Sequence, residues 1–411
     1  MATDGAPLPE TPKRDLLFLT QRIPYPPNKG EKIRHYQFLK HLAERYNVYL
    51  GCLVDDPSDW DHTGTVEGFC TDAHFARLDR RRDLFSHLGA LATGTALSVA
   101  LYRDRGLERW VSHILASVRP PVVFVGSSNM APYVLGQAKG AGKVIFDLVD
   151  VDSEKWRAYG DKASGVMRWI YRREARMVLD LERRIAKEGD YCTFVSEAEA
   201  QMFRSLAPDK AESIVGVSNG VDAGYFDPSG NFPAPFDATL PSFVFTGTMD
   251  YVPNVDAVRW FAQDILPRIR QSLPQAQFYI VGSGPTSAVQ ALAQIDGVHV
   301  TGRVPDVRPY LAHATAAVAP MRIARGIQNK VLEAMAMAKP VIVTSEALEG
   351  IDAAPAVEVL LADDAQAFAQ SACQVAAKPA DAAIIGLAAR HRVVAQYSWE
   401  GQLRGLDRLL A

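Results

Sequence analysis

Along most of the chain, short apolar runs rich in β-branched and aromatic residues alternate with stretches of helical period. In the first half the runs predict strands at residues 16–20, 48–54, 122–126, 144–148 and 191–196, with helices such as 31–45 and 105–118 between them. In the second half they predict strands at 242–247, 277–282, 299–302, 316–320, 340–344 and 357–361, and helices at 254–272, 286–294 and 331–337. Runs such as KPVIVT and FYIVGSG have no polar alternation, the pattern of a strand buried on both faces. Strand–helix alternation of this kind predicts an α/β chain with parallel sheets covered by helices.

The periodicity lapses at 222–241, DAGYFDPSGNFPAPFDATLP, where four Pro and two Gly read as a linker. The expected organisation is a disordered lead-in at 1–14, a first domain at 15–221, the linker, a second domain at 242–396 and a closing helix at 397–411. Open parallel sheets bind ligands at the carboxyl ends of their strands, so two such domains facing a central cleft would place a ligand there.

Composition narrows the class. The 411 residues are 48% apolar and 22% charged with net charge −3, which suits a globular protein and offers no drive toward nucleic acid. Four scattered cysteines form no metal or disulfide spacing and predict a cytoplasmic location. No aspartate-rich metal motif occurs, and no metal or bound cofactor is expected. The uncharged segment 84–102 carries too many Ser, Thr, Gly and His residues for a membrane span and reads as helix and loop. Residues 155–187 hold ten Lys/Arg against four Asp/Glu, with Met167, Ile170, Tyr171, Met177, Val178, Leu181 and Ile185 on one helical stripe. That segment reads either as a charged surface helix or as a peripheral contact with anionic lipid on the inner face of a bacterial membrane.

Candidate chemistry concentrates at strand ends. RIARGIQNKVLEAMAMAKPVIVT brings Arg322, Arg325 and Gly326 to the start of a helix that carries Lys330 and Glu333 on one face. Cations at a helix N-terminus suit an anionic phosphate, and Glu333 suits a sugar hydroxyl; a plain solvated face is the other reading. Gly247, Gly282 and Gly302 each end a strand where backbone can approach a ligand, and Arg303 and Val304 follow Gly302. In the first half Gly30 opens a helix after the first strand, without a GxGxxG fingerprint. IFDLVDVDSEKW places Asp150 and Asp152 after a strand, to orient an acceptor hydroxyl or take its proton. Asp152 or Ser153 alternatively caps the next helix, and Asp306 stands to cap another.

SNGVDAGYFDP, FTGTMD, FYIVGSGP, VTGRVPDV and NKVLEAMAMAKPVIV, in that order, resemble the landmarks of GT-B glycosyltransferases of the retaining family 4. More narrowly, RIPYPPNKGEKIRHYQFLKHLA, DLVDVDSEKW, TGTMDYVPNVDAV and ARGIQNKVLEAMAM resemble the sugar transferases of exosortase (PEP-CTERM) exopolysaccharide loci. The resemblance implies two Rossmann-like domains, with the closing helix crossing back to the first. It implies a nucleotide-sugar co-substrate, a UDP-sugar first and a GDP-sugar second, and a lipid-linked glycan acceptor. Glu333 would bind the donor ribose, Lys330 the diphosphate, Val304 the base through its backbone, and Gly30 would lie near the donor phosphates. Asp150 would stand on the acceptor side, and Arg322 and Arg325 are placed near the diphosphate by charge alone.

Two departures stand out. Many members carry a glutamate eight residues before the equivalent of Glu333, where this chain has Arg325. Many also carry an Arg and Lys pair in the loop that here reads TMDYVPN. Sugar transfer is the leading expectation. A nucleotide-sugar epimerase and a non-catalytic nucleotide-binding scaffold are the alternatives.

Overall fold

The computed structural model describes residues 12–27, 30–78, 95–137, 142–324 and 326–411. The chain divides into two compact units, Met1–Val217 with Leu406–Ala411, and Ser218–Gly405. The linker-like stretch 222–241 thus belongs to the second unit.

The first unit is built on a seven-stranded sheet in the order β3-β2-β1-β4-β5-β6-β7, with every neighbouring pair parallel. The strands are β1 (Arg14–Thr20), β2 (Tyr46–Val54), β3 (Asp72–Arg77), β4 (Val122–Gly126), β5 (Lys143–Val149), β6 (Tyr191–Phe194) and β7 (Ile214–Gly216). The edge strands β3 and β7 add to the five expected from the sequence. Each has a neighbour on one side only, and β3 is mostly half-exposed, so neither needs a continuous apolar run. The order of strands reverses between β1 and β4, which makes their carboxyl ends the unit's switch point.

The second sheet has six parallel strands in the order β10-β9-β8-β11-β12-β13. They are β8 (Ser242–Thr246), β9 (Gln277–Val281), β10 (Val298–Gly302), β11 (Ala316–Ala319), β12 (Val341–Val343) and β13 (Leu360–Leu361). Here the order reverses between β8 and β11. The strand expected at 357–361 shrinks to β13, because a turn precedes it: Ala356 takes a φ of 62° and donates its N–H to the Val359 carbonyl at 2.8 Å.

The helices that bear on function are α1 (Gly30–Arg45), α2 (Asp152–Lys162), α3 (Gly165–Glu188), α4 (Val252–Trp260), α5 (Leu266–Ser272), α6 (Asn329–Ala336) and α7 (Trp399–Leu410). The single helix expected at 254–272 is interrupted. A π-helical turn, Phe261–Ile265, separates α4 from α5. Pro267 lies in the first turn of α5, where its missing N–H and its ring forbid an unbroken α-helical ladder. The end of α7 joins the first unit. Leu403, Leu406, Leu409 and Leu410 are buried, and Asp407 accepts from Arg45 at 2.7 Å and lies 2.7 Å from His41 Nε2 on α1.

Of the uncharged segment, residues 84–94 lie outside the described ones. Its end forms a short helix, Leu97–Leu101, whose first amides donate to the buried Glu174 carboxylate at 2.8 and 2.7 Å. Among the described residues no helix is long and apolar enough to cross a membrane.

A fully buried ion pair ties the first unit together. Asp147, in β5, accepts two hydrogen bonds from the Arg34 guanidinium on α1, at 2.7 and 2.8 Å, and one from Thr193 at 2.7 Å. Arg34 also donates to the Val217 carbonyl at 2.7 Å, next to the end of β7. Burial works to raise the Asp147 pKa, but the Arg34 guanidinium outweighs it and holds the carboxyl far below its ordinary range. The pair's contribution is therefore present at neutral pH and lost only as pH falls into strong acid. Asp147→Ala leaves the buried Arg34 without its counter-charge and is expected to destabilise the first unit by about 3–5 kcal/mol. Denaturant unfolding with a probe in that unit measures the loss.

Candidate functional site

At the carboxyl edge of the second sheet, the glycines and the lysine expected from the sequence come together. β8 ends into Gly247, with φ of 157°, and β9 into Gly282, with φ of 152°. A Cβ on Gly282 would sit 1.6 Å from the Gly247 carbonyl oxygen, so the two loops touch backbone to backbone. The Gly247 N–H donates to the Val281 carbonyl at 3.0 Å and the Gly282 N–H to the Gly302 carbonyl at 3.2 Å. A Cβ on Gly247 would in turn meet Asn254 at 2.7 Å and the Lys330 side chain at 3.5 Å.

Lys330 lies in the first turn of α6, which begins the crossover from β11 to β12. Its ammonium donates to Asn254 Oδ1 at 3.1 Å and Gln328 Oε1 at 3.2 Å, and stands 5.2 Å from the centre of the Phe245 ring. Asn254 is itself buried and fixed, its amide donating to the Thr248 carbonyl at 2.9 Å. The Lys330–Asn254 bond thus spans the switch point between β8 and β11. Burial pushes the Lys330 pKa down to about 8, opposed by Glu333, and pushes the Glu333 pKa up to about 7, opposed by Lys330. Glu333 follows on the same helix face, half-buried, and its carboxylate accepts no side-chain hydrogen bond among the described residues. An ammonium and a carboxylate held three residues apart in this way can bind an anion and a hydroxyl on one ligand.

The other residues named from the sequence are placed less uniformly. Arg322 is bound to Asp256 on α4 by two hydrogen bonds, of 2.6 and 3.0 Å, and lies against the Trp260 ring. Its charge is largely matched there. Arg325 lies outside the described residues. Gly326 has a φ of 64° and accepts from Gln328 at 3.1 Å. Gly302 has a φ of 68° with open space where a Cβ would be; Arg303 is exposed and Val304 packs on the core. Asp306 accepts from the Arg308 N–H at 2.9 Å and from its guanidinium, while that guanidinium stacks 3.7 Å from the centre of the Tyr225 ring. Gly30 is the exposed first residue of α1, with open space about it.

In the first unit, β5 leads into Val149, a β-branched residue with a φ of 68°. Such backbone costs on the order of 1–3 kcal/mol and persists where neighbours enforce it. Here the Val195 N–H donates to the Val149 carbonyl at 2.7 Å, and Glu199 accepts from the Val151 N–H at 2.9 Å. The turn presents Asp150 to solvent. Desolvation by the surrounding protein, then Glu199 and Asp152, push its pKa up to about 6. Asp152 accepts from Ser128 at 3.3 Å. Neither Asp152 nor Ser153 caps α2. The buried Glu182 of α3 does so across the hairpin, accepting from the Ser153 N–H and hydroxyl at 3.2 and 2.5 Å. Burial pushes the Glu182 pKa up to about 8.

Sequence reasoning passed over Asn254 and Asp256, which hold Lys330 and Arg322. It also passed over the cluster at the β1/β4 switch point, where Ser127 and Asn129 donate to Gln21 at 2.6 and 3.3 Å. The signal was available, since Ser127-Ser128-Asn129 follows the apolar run VVFVG as Asp150 follows IFDLV.

Residues 240–378 match the profile of a family described as "Glycosyl transferases group 1". That span contains Gly247, Asn254, Gly282, Lys330 and Glu333. No curated protein matches the chain by sequence. Among solved structures, sucrose-phosphate synthase from Thermosynechococcus elongatus aligns over 97% of this chain and 98% of its own, with 18% identity and a TM-score of 0.67. HepE of Anabaena, solved with UDP-glucose, aligns over 97% and 99%, with 14% identity and a TM-score of 0.66. WaaG, a glycosyltransferase involved in lipopolysaccharide biosynthesis, aligns over 96% and 99%, with 14% identity and a TM-score of 0.65. The fold is GT-B, with two Rossmann-like parallel-sheet units.

The glycine contacts predict a graded response. Gly302→Ala meets only the cost of positive φ, about 1–2 kcal/mol. Gly282→Ala must also displace the Gly247 carbonyl, so it is expected to cost more and to loosen the Lys330 region. Thermal melts of the two variants, side by side, test the order.

Proposed function

We propose that this protein is a retaining glycosyltransferase that moves a sugar from a nucleotide-diphosphate sugar to an acceptor hydroxyl. The observation that carries the reading is the half-buried Lys330, fixed by Asn254 beside Glu333 at the switch point of the second sheet. It lies inside the span that matches the glycosyl transferase profile. A UDP-sugar is the proposed donor, because solved HepE structures hold UDP and UDP-glucose.

Lys330 and the N-terminus of α6 take the diphosphate, and Glu333 accepts from the ribose hydroxyls. Gly247, Gly282, Gly302 and Gly326 let backbone approach the donor, and Val304 meets the base through its main chain. Arg322 is committed to Asp256, so the charge that builds on the leaving group falls to Lys330 first, with Arg325 as the further cation of that loop. As the bond from the anomeric carbon to the diphosphate breaks, the acceptor oxygen bonds to that carbon on the same face. The acceptor proton passes to the departing phosphate oxygen. Asp150 and Asp152 orient the acceptor hydroxyl; Asp150 is anionic above about pH 6. The proposed acceptor is a lipid-linked glycan of exopolysaccharide biosynthesis, supported by the resemblance of the segments around Gly30, Asp150 and Lys330 to transferases of exosortase loci.

UDP is expected to raise the melting temperature of the protein, and Lys330→Met to weaken UDP binding by roughly 10–100-fold, the worth of a charge-assisted hydrogen bond. A thermal-shift screen of nucleoside diphosphates that finds no ligand would overturn the reading. With the Lys330 pKa near 8 in the empty site and raised by a bound diphosphate, affinity is expected to fall as pH rises through 8. Calorimetric titration with UDP from pH 8 upward checks the slope, which Lys330→Met should flatten.

A further inference from the structure

The hairpin of α2 and α3 carries an apolar tip that the first unit's core does not cover. Val178 and Ile185, in the second half of α3, are buried, as the helical stripe requires. Met167, on the same stripe, is not: it is 46% exposed, because the tip runs past the elements that bury the rest. Val166 is 74% exposed, Trp169 60% and Tyr159, on the facing helix, 45%. Val166 and Trp169 are three residues apart and share a helix face, which Arg172 and Arg176 continue.

The charge around the tip is predominantly positive. Of the four carboxylates of α3, Glu174 and Glu182 are turned inward and consumed as caps of the Leu97–Leu101 helix and of α2, while Asp180 and Glu188 are exposed farther along the helix, away from the tip. Between residues 155 and 176 what faces water is Lys155, Arg157, Lys162, Arg168, Arg172 and Arg176, against one exposed carboxylate in that stretch, Asp161, 3.5 Å from Arg172. Trp169 and Tyr159 pair an apolar body with a polar edge, the chemistry of the water–lipid boundary. An excess of cations on long side chains beside exposed Trp, Met and Val suits a fluid anionic surface, which can meet each cation where it stands.

We propose that the tip of the α2–α3 hairpin docks on an anionic lipid bilayer, with Val166, Met167 and Trp169 entering the headgroup boundary and Arg168, Arg172 and Arg176 holding lipid phosphates. The proposal rests on this surface alone and stands whether or not the transfer reaction does. The test is sedimentation of the full-length protein with phosphatidylcholine vesicles, with and without phosphatidylglycerol. The protein is expected to pellet only with the anionic vesicles. Arg172→Glu with Arg176→Glu is expected to lower the partition coefficient by roughly 25-fold or more, from about fivefold per cation lost, and Met167→Ser with Trp169→Ala to lower it separately. All four side chains are exposed or half-exposed in the hairpin, and unchanged melting curves confirm that the variants fold. Absence of binding to anionic vesicles, or equal binding by wild type and variants, overturns the proposal. So does a concentration-dependent dimer that Trp169→Ala dissolves, since the tip would then serve a second copy of the chain.

Discussion

A parallel sheet covered on both faces leaves polar groups few places to emerge, and both units obey that constraint. Side chains along β4, β8 and β11, and along β1 from Leu16 onward, are buried, so chemistry stands where these strands end. In the second unit the crossing of Gly247 and Gly282 brings two strand ends into backbone contact and leaves room beside them for Lys330. In the first, the ion pair between Asp147 and Arg34 ties β5 to α1 next to the turn that presents Asp150.

The two strand-end clusters are held by different means. Lys330 and Glu333 stand where burial is unfavourable for either charge, so their pKa values draw toward neutrality from opposite sides. A ligand that carries both an anion and hydroxyls relieves that cost, which is the physical basis for reading the pair as a binding site. Arg322 shows the contrast. Its partner Asp256 already satisfies it, so formal charge near a site is a poor guide to charge available to a ligand. In the first unit the device is backbone strain, with Val149 in a conformation that Glu199 and Val195 enforce on the turn.

The fold was legible where burial on both faces left an unbroken apolar run, as in KPVIVT and FYIVGSG. It was less legible at edges, and DAHFAR, half-exposed as β3, gives no such run. Helix period alone extended one helix across residues 254–272, while Pro267 broke its hydrogen-bond ladder into a π turn. The nearest acids and hydroxyl to α2 seemed fit to cap it, yet Glu182 does so from another helix, a contact that spacing in sequence does not encode. The same period put Met167 on the apolar stripe of α3 without showing that the covering elements stop short of it.

By itself the sequence determined two successive parallel-sheet halves and the positions of Gly247, Gly282, Gly302, Lys330 and Glu333 at strand ends and on one helix face, because side-chain periodicity and glycine placement are local properties. Only the tertiary structure decided which charges are spoken for. Asn254 steadies Lys330, Asp256 takes Arg322, and Glu174 and Glu182 turn inward and leave the α2–α3 tip cationic. Each of these partners comes from another element of its own unit, and long-range pairing is set by packing rather than by spacing along the chain.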